Sequence, residues 1–250
     1  MFGLPKTTDF NKKIPKQKFY EKLEITPALK RVFVEQIKAV YWTNKIAATT
    51  TNLAVGKYVS EIEVFKVELS SDNLDLSALQ LIDKAIPYHI VFALCFNDHN
   101  QLVTSYKTNQ PPFLKGGCQT ESDRGILNIN ENQKPLCHLA MTSPLKKGSK
   151  SFFHTPWLPE SDLLLPIKGL DLDTVYENIF RFIAGDALTP KEDKPESLQE
   201  SIERAELKQK LKKQIERLQK QINKEKSFAI QVELNTKLKA LKRQLEELMN

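Results

Sequence analysis

The chain has 250 residues, of which 40% are hydrophobic and 27% charged, and a formal net charge of +6. This is an ordinary globular balance on a chain long enough to bury a core. No apolar run reaches the ~18 residues that a membrane-spanning helix needs. Met1–Pro5 lacks the apolar stretch of a signal peptide. Three widely spaced cysteines give no disulfide framework and point to a reducing compartment, so the expected location is cytoplasmic.

In chain order, Asp9 to Lys18 is polar and basic and reads as a loosely ordered lead-in to Phe19 and Leu23. Thr26-Pro27 is a helix start, an N-cap residue followed by Pro at the first helical position. Leu29, Val32, Phe33, Ile37 and Val40 form a stripe at helical spacing, which predicts a helix to about Lys38 and then a strand over Val40–Ile46. Ile62, Val64, Phe65, Val67 and Leu69 are strand-like. The adjacent Val64 and Phe65 mark either a bulge or burial on both faces. Asp75 can cap a helix through Leu76, Leu79, Ile82 and Ala85 that stops before Pro87. Ile90–Phe96 is an unbroken apolar run and reads as a central strand. Asn97–Asn100 is a turn, and Leu102–Tyr106 is a hairpin partner.

Pro111, Pro112, Gly116, Gly117, Pro135 and Pro144 cut the segment 110–150 into short pieces, with candidate strands at Ile126–Ile129 and Leu136–Met141. A further strand is expected in Ser151–Thr155. After the apolar Leu163–Ile167, a helix beginning at Asp171 or Asp173 carries Leu172, Val175, Tyr176, Ile179 and Ile183 on one face and ends at Gly185. Thr189–Ser197 is a hinge. The expected fold is α+β: a mixed sheet with packed helices in a globular domain 1–186, a linker 187–197, and a helical arm 198–250.

The arm contains no Gly or Pro from Ile202 onward. Leu211, Ile215, Leu218 and Ile222 follow the 4-3-4 spacing of a coiled-coil seam, and so do Leu234, Leu238, Leu241, Leu245 and Leu248. The two seams are out of phase. Continuing the first by sevens reaches Ala229, Val232, Thr236 and Lys239. A break between Asn223 and Ser227, with Ser227 as N-cap, reconciles them as an antiparallel hairpin, Leu198–Lys224 and Phe228–Leu248. The alternative is one long helix pairing with another chain.

With Leu211 in the seam, the opposite face of the first helix carries Lys210, Lys213, Arg217, Lys220 and Lys224, a basic stripe of about 21 Å at 1.5 Å per residue. Lys208, Lys212 and Lys226 widen it. From Ile202 to the end there are 13 Lys/Arg and 7 Asp/Glu, a balance of +6, so the first 201 residues are neutral. Such a stripe suits solvent, the phosphates of a nucleic acid, or an acidic protein partner.

Signs of catalysis are few. His89, His99, His138 and His154 show no metal-binding spacing. Cys118, Cys137 and His138 with Cys95 or His154 could make a zinc set, but paired Cys-x-x-Cys knuckles are absent, so no metal or cofactor is expected. Nucleophile-elbow, phosphate-loop and dinucleotide motifs are absent. The enzymatic alternative is a metal-dependent nuclease using Glu61, Glu63, Lys66 and Glu68, although the order of acid and lysine differs from the usual one. The plainer reading of these four is the polar edge of a strand facing solvent, or an ion-pair ladder.

The runs Ile82–Tyr88, Leu165–Asp173 and Val175–Asn178, with Ala184-Gly185 and the basic coiled coil, resemble a bacterial family of unknown function of about this length, from near Phe19 to the C-terminus. The resemblance implies genes placed beside helicases, adenine-specific DNA methyltransferases and restriction subunits of defence clusters. It therefore implies an accessory, non-catalytic role in a restriction–modification or anti-phage assembly, with a helicase or DNA methyltransferase as protein partner; DNA is a further ligand that the basic stripe itself would suit. It supplies no active-site residues.

Overall fold

A mixed β-sheet forms where Val, Ile and Phe are densest. The structure, a computed structural model, describes residues 2–21, 25–107, 151–188 and 196–249. It divides into two units, Met1–Ala184 and Gly185–Asn250. The readings on 110–150, including Cys118, Cys137 and His138, lie outside the described residues.

Among the described residues the first unit holds seven strands: β1 Asp9–Ile14, β2 Ile37–Ala47, β3 Glu61–Leu69, β4 His89–Phe96, β5 His99–Ser105, β6 Phe152–His154 and β7 Leu158–Pro159. They are ordered β1-β2-β3-β4-β5-β6, with β7 also pairing β5. All pairs are antiparallel except β3 with β4, which run parallel. A helix joins those two, Ser77–Ala85, which we call α3 after the short helices α1 Gln17–Glu21 and α2 Pro27–Arg31. Parallel neighbours require such a crossover. The unbroken Ile90–Phe96 run is thus a central strand with both faces covered.

On one face, Phe65, Val67, Phe92, Leu94 and Val103 pack with Phe19, Phe33 and the Ala78, Leu79 and Ile82 side of α3. A row of rings crosses the strands there, with Phe10 4.0 Å from Trp42, Trp42 6.1 Å from Phe65, and Phe65 6.3 Å from Phe92. The other face lies under α4, Leu172–Ala184, which buries Leu172, Val175, Tyr176, Ile179, Phe180 and Ile183. The doubled Val64-Phe65 therefore reflects burial on both faces. The bulge lies opposite, in β2, where the register shifts between Trp42 and Asn44 and the Thr43 hydroxyl donates to the Val64 carbonyl at 3.0 Å.

Two expectations in this unit are corrected. Asp9–Ile14 is not a loose lead-in but an edge strand on β2. Most of its side chains are exposed and hide it from periodicity; pairing with β2, the Phe10–Trp42 ring contact and the buried Ile14 hold it. The helix from Thr26 does not reach Lys38. It passes into a π-helical turn, Val32–Gln36, and Ile37 already belongs to β2. The Lys16 ammonium donates to the carbonyls of Phe33 and Ile37 where that helix stops.

The run Leu165–Asp173 has a structural role. Asp171 accepts the Thr174 N–H at 2.8 Å and caps α4. Asp173 accepts from the backbone N–H groups of Lys57, Tyr58 and Val59 at 2.7, 3.1 and 2.7 Å. Ala54 bridges Leu170 and Leu172 through its own N–H and carbonyl. The loop between β2 and β3 is thereby fixed to the start of α4. Gly56 is required there, since a Cβ on it would stand 2.2 Å from the Asp173 carboxylate.

The second unit is a helix pair, α5 Leu198–Lys224 and α6 Phe228–Met249. Ser197 and Glu200 form a capping box at the start of α5. The turn between the helices is closed by Glu225, whose carboxylate accepts the N–H groups of Lys226 and Ser227 at 2.9 and 3.0 Å. Ser227 stands at the N-cap position of α6, as the sequence suggested, and its carbonyl accepts the Gln231 N–H at 3.0 Å. The helices pack against each other as an antiparallel hairpin.

Candidate functional site

The hairpin sorts its side chains as the two seams require. Leu211 and Leu238 are buried, and Ile215, Leu218, Ile222, Leu234, Leu241, Leu245 and Leu248 are half-buried. Away from the seam, Lys210, Lys213, Arg217, Lys220 and Lys224 are all exposed. Of the flanking residues, Lys212 and Lys226 are exposed and Lys208 is half-buried. Among the described residues none of these eight cations takes part in an ion pair, whereas α6 pairs Lys237 with Glu233 at 2.6 Å and Arg243 with Glu247 at 3.2 Å. The stripe is therefore a row of uncompensated charge on a rigid support. Unpaired like charges at this spacing repel one another, so the stripe costs the isolated helix stability and gains from a polyanion.

The stripe has a polarity. The same outward face of α5 begins with Glu203 and Glu206 before Lys210. The C-terminal end of α5 carries the partial negative charge of the helix dipole, which Lys224 offsets.

The strand residues considered for nuclease chemistry are not brought together. Alternation along β3 puts Glu61 and Glu63 on the face that holds Phe65 and Val67, and Lys66 and Glu68 on the opposite face. On the first face Lys45 pairs with Glu61 at 2.8 Å. On the second, Lys66 pairs with Glu68 at 3.0 Å and lies over the Tyr41 ring. Ion pairs thus account for three of the four residues. Glu63 departs from the solvent-facing reading, being 1% exposed with neither carboxylate oxygen hydrogen-bonded among the described residues. Burial, and then the neighbouring Glu61 carboxylate, push its pKa up to about 8. Nothing in the sequence separates Glu63 from its solvated neighbours, because the cover over it comes from distant elements.

His89 is the second buried titratable group that the sequence did not single out. Its ring lies 4.3 Å from that of Tyr176, its Nε2 has no partner among the described residues, and burial holds its pKa down at about 3. Cys95 is half-buried, with its thiol directed to Asn100, and burial raises its pKa to about 11, so it is not a reactive thiolate. Among the described residues no three His, Cys, Asp or Glu side chains are grouped to hold a metal ion. Among them also, no helix is long and apolar enough to cross a membrane.

No curated protein and no solved structure matches the chain. One family does, over residues 2–111 and 140–245, which take in both the sheet and the hairpin. By that match the protein belongs to the family described as a domain of unknown function (DUF4391).

Proposed function

We propose that the protein is a non-catalytic accessory subunit whose α5–α6 hairpin holds an anionic macromolecule along the lysine stripe. In this reading the sheet-bearing unit docks a protein partner, and the sequence resemblance gives that partner as a helicase or DNA methyltransferase of a restriction or anti-phage assembly. The observation that carries the proposal is the run of exposed cations on α5 with no ion pair among the described residues. A helix kept only for packing gains from offsetting those charges, as α6 does with Glu233 and Glu247.

Heparin, a generic polyanion, tests the proposal without choosing a ligand. The intact protein is expected to be retained on immobilised heparin and to elute at raised salt. Reversal of Lys210, Lys213, Arg217, Lys220 and Lys224 to Glu is expected to abolish retention. The control reverses Lys6, Lys12, Lys30, Lys38 and Lys84, which are exposed on the first unit and change the net charge equally. Loss of retention in both variants, or in neither, rejects a localised site.

A further inference from the structure

We infer that the ligand of the stripe is a double-stranded nucleic acid, gripped by its phosphates and not read by its bases. This rests on the reading of the hairpin as a polyanion-binding arm and narrows it to one ligand class. The chemistry of the face supports it. The outward side of α5 from Lys210 to Lys224 presents four lysines and one arginine with Glu216 beside them, and no apolar or aromatic residue. Protein–protein interfaces are built around apolar, aromatic or arginine anchors and are depleted in lysine, so an acidic protein would find Arg217 as its one anchor here.

A single strand is equally ill served. Proteins that hold single strands add stacking rings to a positive groove. From Gly185 onward the only aromatic residue is Phe228, which lies on α6 and not on the stripe. The face is moreover a convex helical ridge, which meets a double helix along its grooves, where phosphates line both rims. Base readout needs Asn, Gln or paired Arg directed at base edges. Gln209, Gln219 and Asn223 flank the stripe and do not belong to it.

The length of the contact follows from the spacing. Five cations over about 21 Å offer about five phosphate contacts, shared between the two rims of a groove. Glu203, exposed on the same face before Lys210, repels the backbone and sets one end of the footprint. Five neutralised phosphates give a salt slope of about −4.5 in log K against log salt. Raising salt fourfold, from 50 to 200 mM, then weakens binding about 500-fold.

The test is fluorescence anisotropy of the full chain with two labelled 24-base-pair DNA duplexes of unrelated sequence, an RNA duplex, and a 24-nucleotide single strand, between 50 and 300 mM NaCl. The expected result is a slope of −4 to −5 on a duplex, affinities for the two DNA sequences within about threefold, and single-strand binding at least fivefold weaker. Lys213→Gln with Arg217→Gln, checked for retained helix by circular dichroism, should lower the slope by about 2. Whether the DNA or the RNA duplex binds more tightly shows which double helix is the natural source of the phosphates. Single-strand binding equal to duplex binding, a sequence preference above tenfold, or a slope shallower than −2 overturns the inference. Retention on heparin without duplex binding overturns this inference alone and leaves an anionic protein partner as the ligand. Loss of both overturns the polyanion-binding arm as well.

Discussion

Replacing Glu63 with Gln is expected to stabilise the protein at pH 8 and above and to remove most of the loss of stability that the native chain shows as pH rises. The folded state holds Glu63 protonated up to a pKa of about 8, against 4.5 for a free side chain. Its contribution is therefore fully present below pH 4.5 and is lost as pH rises through 8, because only the unfolded chain releases the proton freely. At 1.36 kcal/mol per pKa unit the limb amounts to roughly 5 kcal/mol. Glutamine keeps the shape and stays neutral.

His89 has the opposite sign. Its folded pKa of about 3 lies below the free value of 6.5, so its contribution is present above pH 6.5 and is lost as pH falls through 3. The two slopes cancel between pH 4.5 and 6.5. Denaturant unfolding across pH is expected to show a plateau there, with an alkaline decline that Glu63→Gln removes and part of an acid decline that His89→Asn removes. An alkaline limb of undiminished size in Glu63→Gln would show that the carboxyl is already ionised in the folded state.

Asp173→Ala is expected to cost about 3 kcal/mol, the scale of losing charge-assisted hydrogen bonds to buried or half-buried donors. Among the described residues the carboxylate is the acceptor for the N–H groups of Lys57, Tyr58 and Val59, and Val59 is buried. Without it those donors lose their acceptor and the loop between β2 and β3 is released from α4. Amide exchange at residues 57–59 should accelerate in Asp173→Ala, and Asp173→Asn should recover part of the loss. Gly56→Ala should destabilise through the same contact, because its Cβ displaces the carboxylate. Unchanged exchange at 57–59 in Asp173→Ala would show that the clamp does not hold the loop.

Both of these features were illegible in the sequence, and for the same reason. Periodicity reports what a segment buries within its own turn or pleat. It therefore places β3, β4, α3 and α4 within a few residues, and it places the break between α5 and α6 because two phases of one leucine repeat cannot share a straight seam. It does not report contacts made across the chain. Asp173 meets Lys57 across more than a hundred residues, and Glu63 looks like the solvated Glu61 until the sheet is assembled. Strand β1 fails differently, since five of its six residues are exposed and the buried Ile14 alone gives no period.

The sites fared likewise. The stripe on α5 could be seen because one helix carries it entire, and helical spacing alone fixes which lysines share a face. The grouping of Glu61, Glu63, Lys66 and Glu68 looked compact only along the chain. The pleat separates it into two pairs on opposite faces, each with its own ion pair.

The most direct measurement is lysine footprinting of the full chain by amine acetylation and mass spectrometry, with and without saturating heparin. In the free protein Lys210, Lys213, Lys220 and Lys224 should react readily, and heparin should protect these four. Lys239 and Lys242 on α6, and Lys38 and Lys84 on the first unit, should react at the same rate in both samples. Protection spread evenly over all exposed lysines, or confined to the first unit, would contradict a binding face on α5.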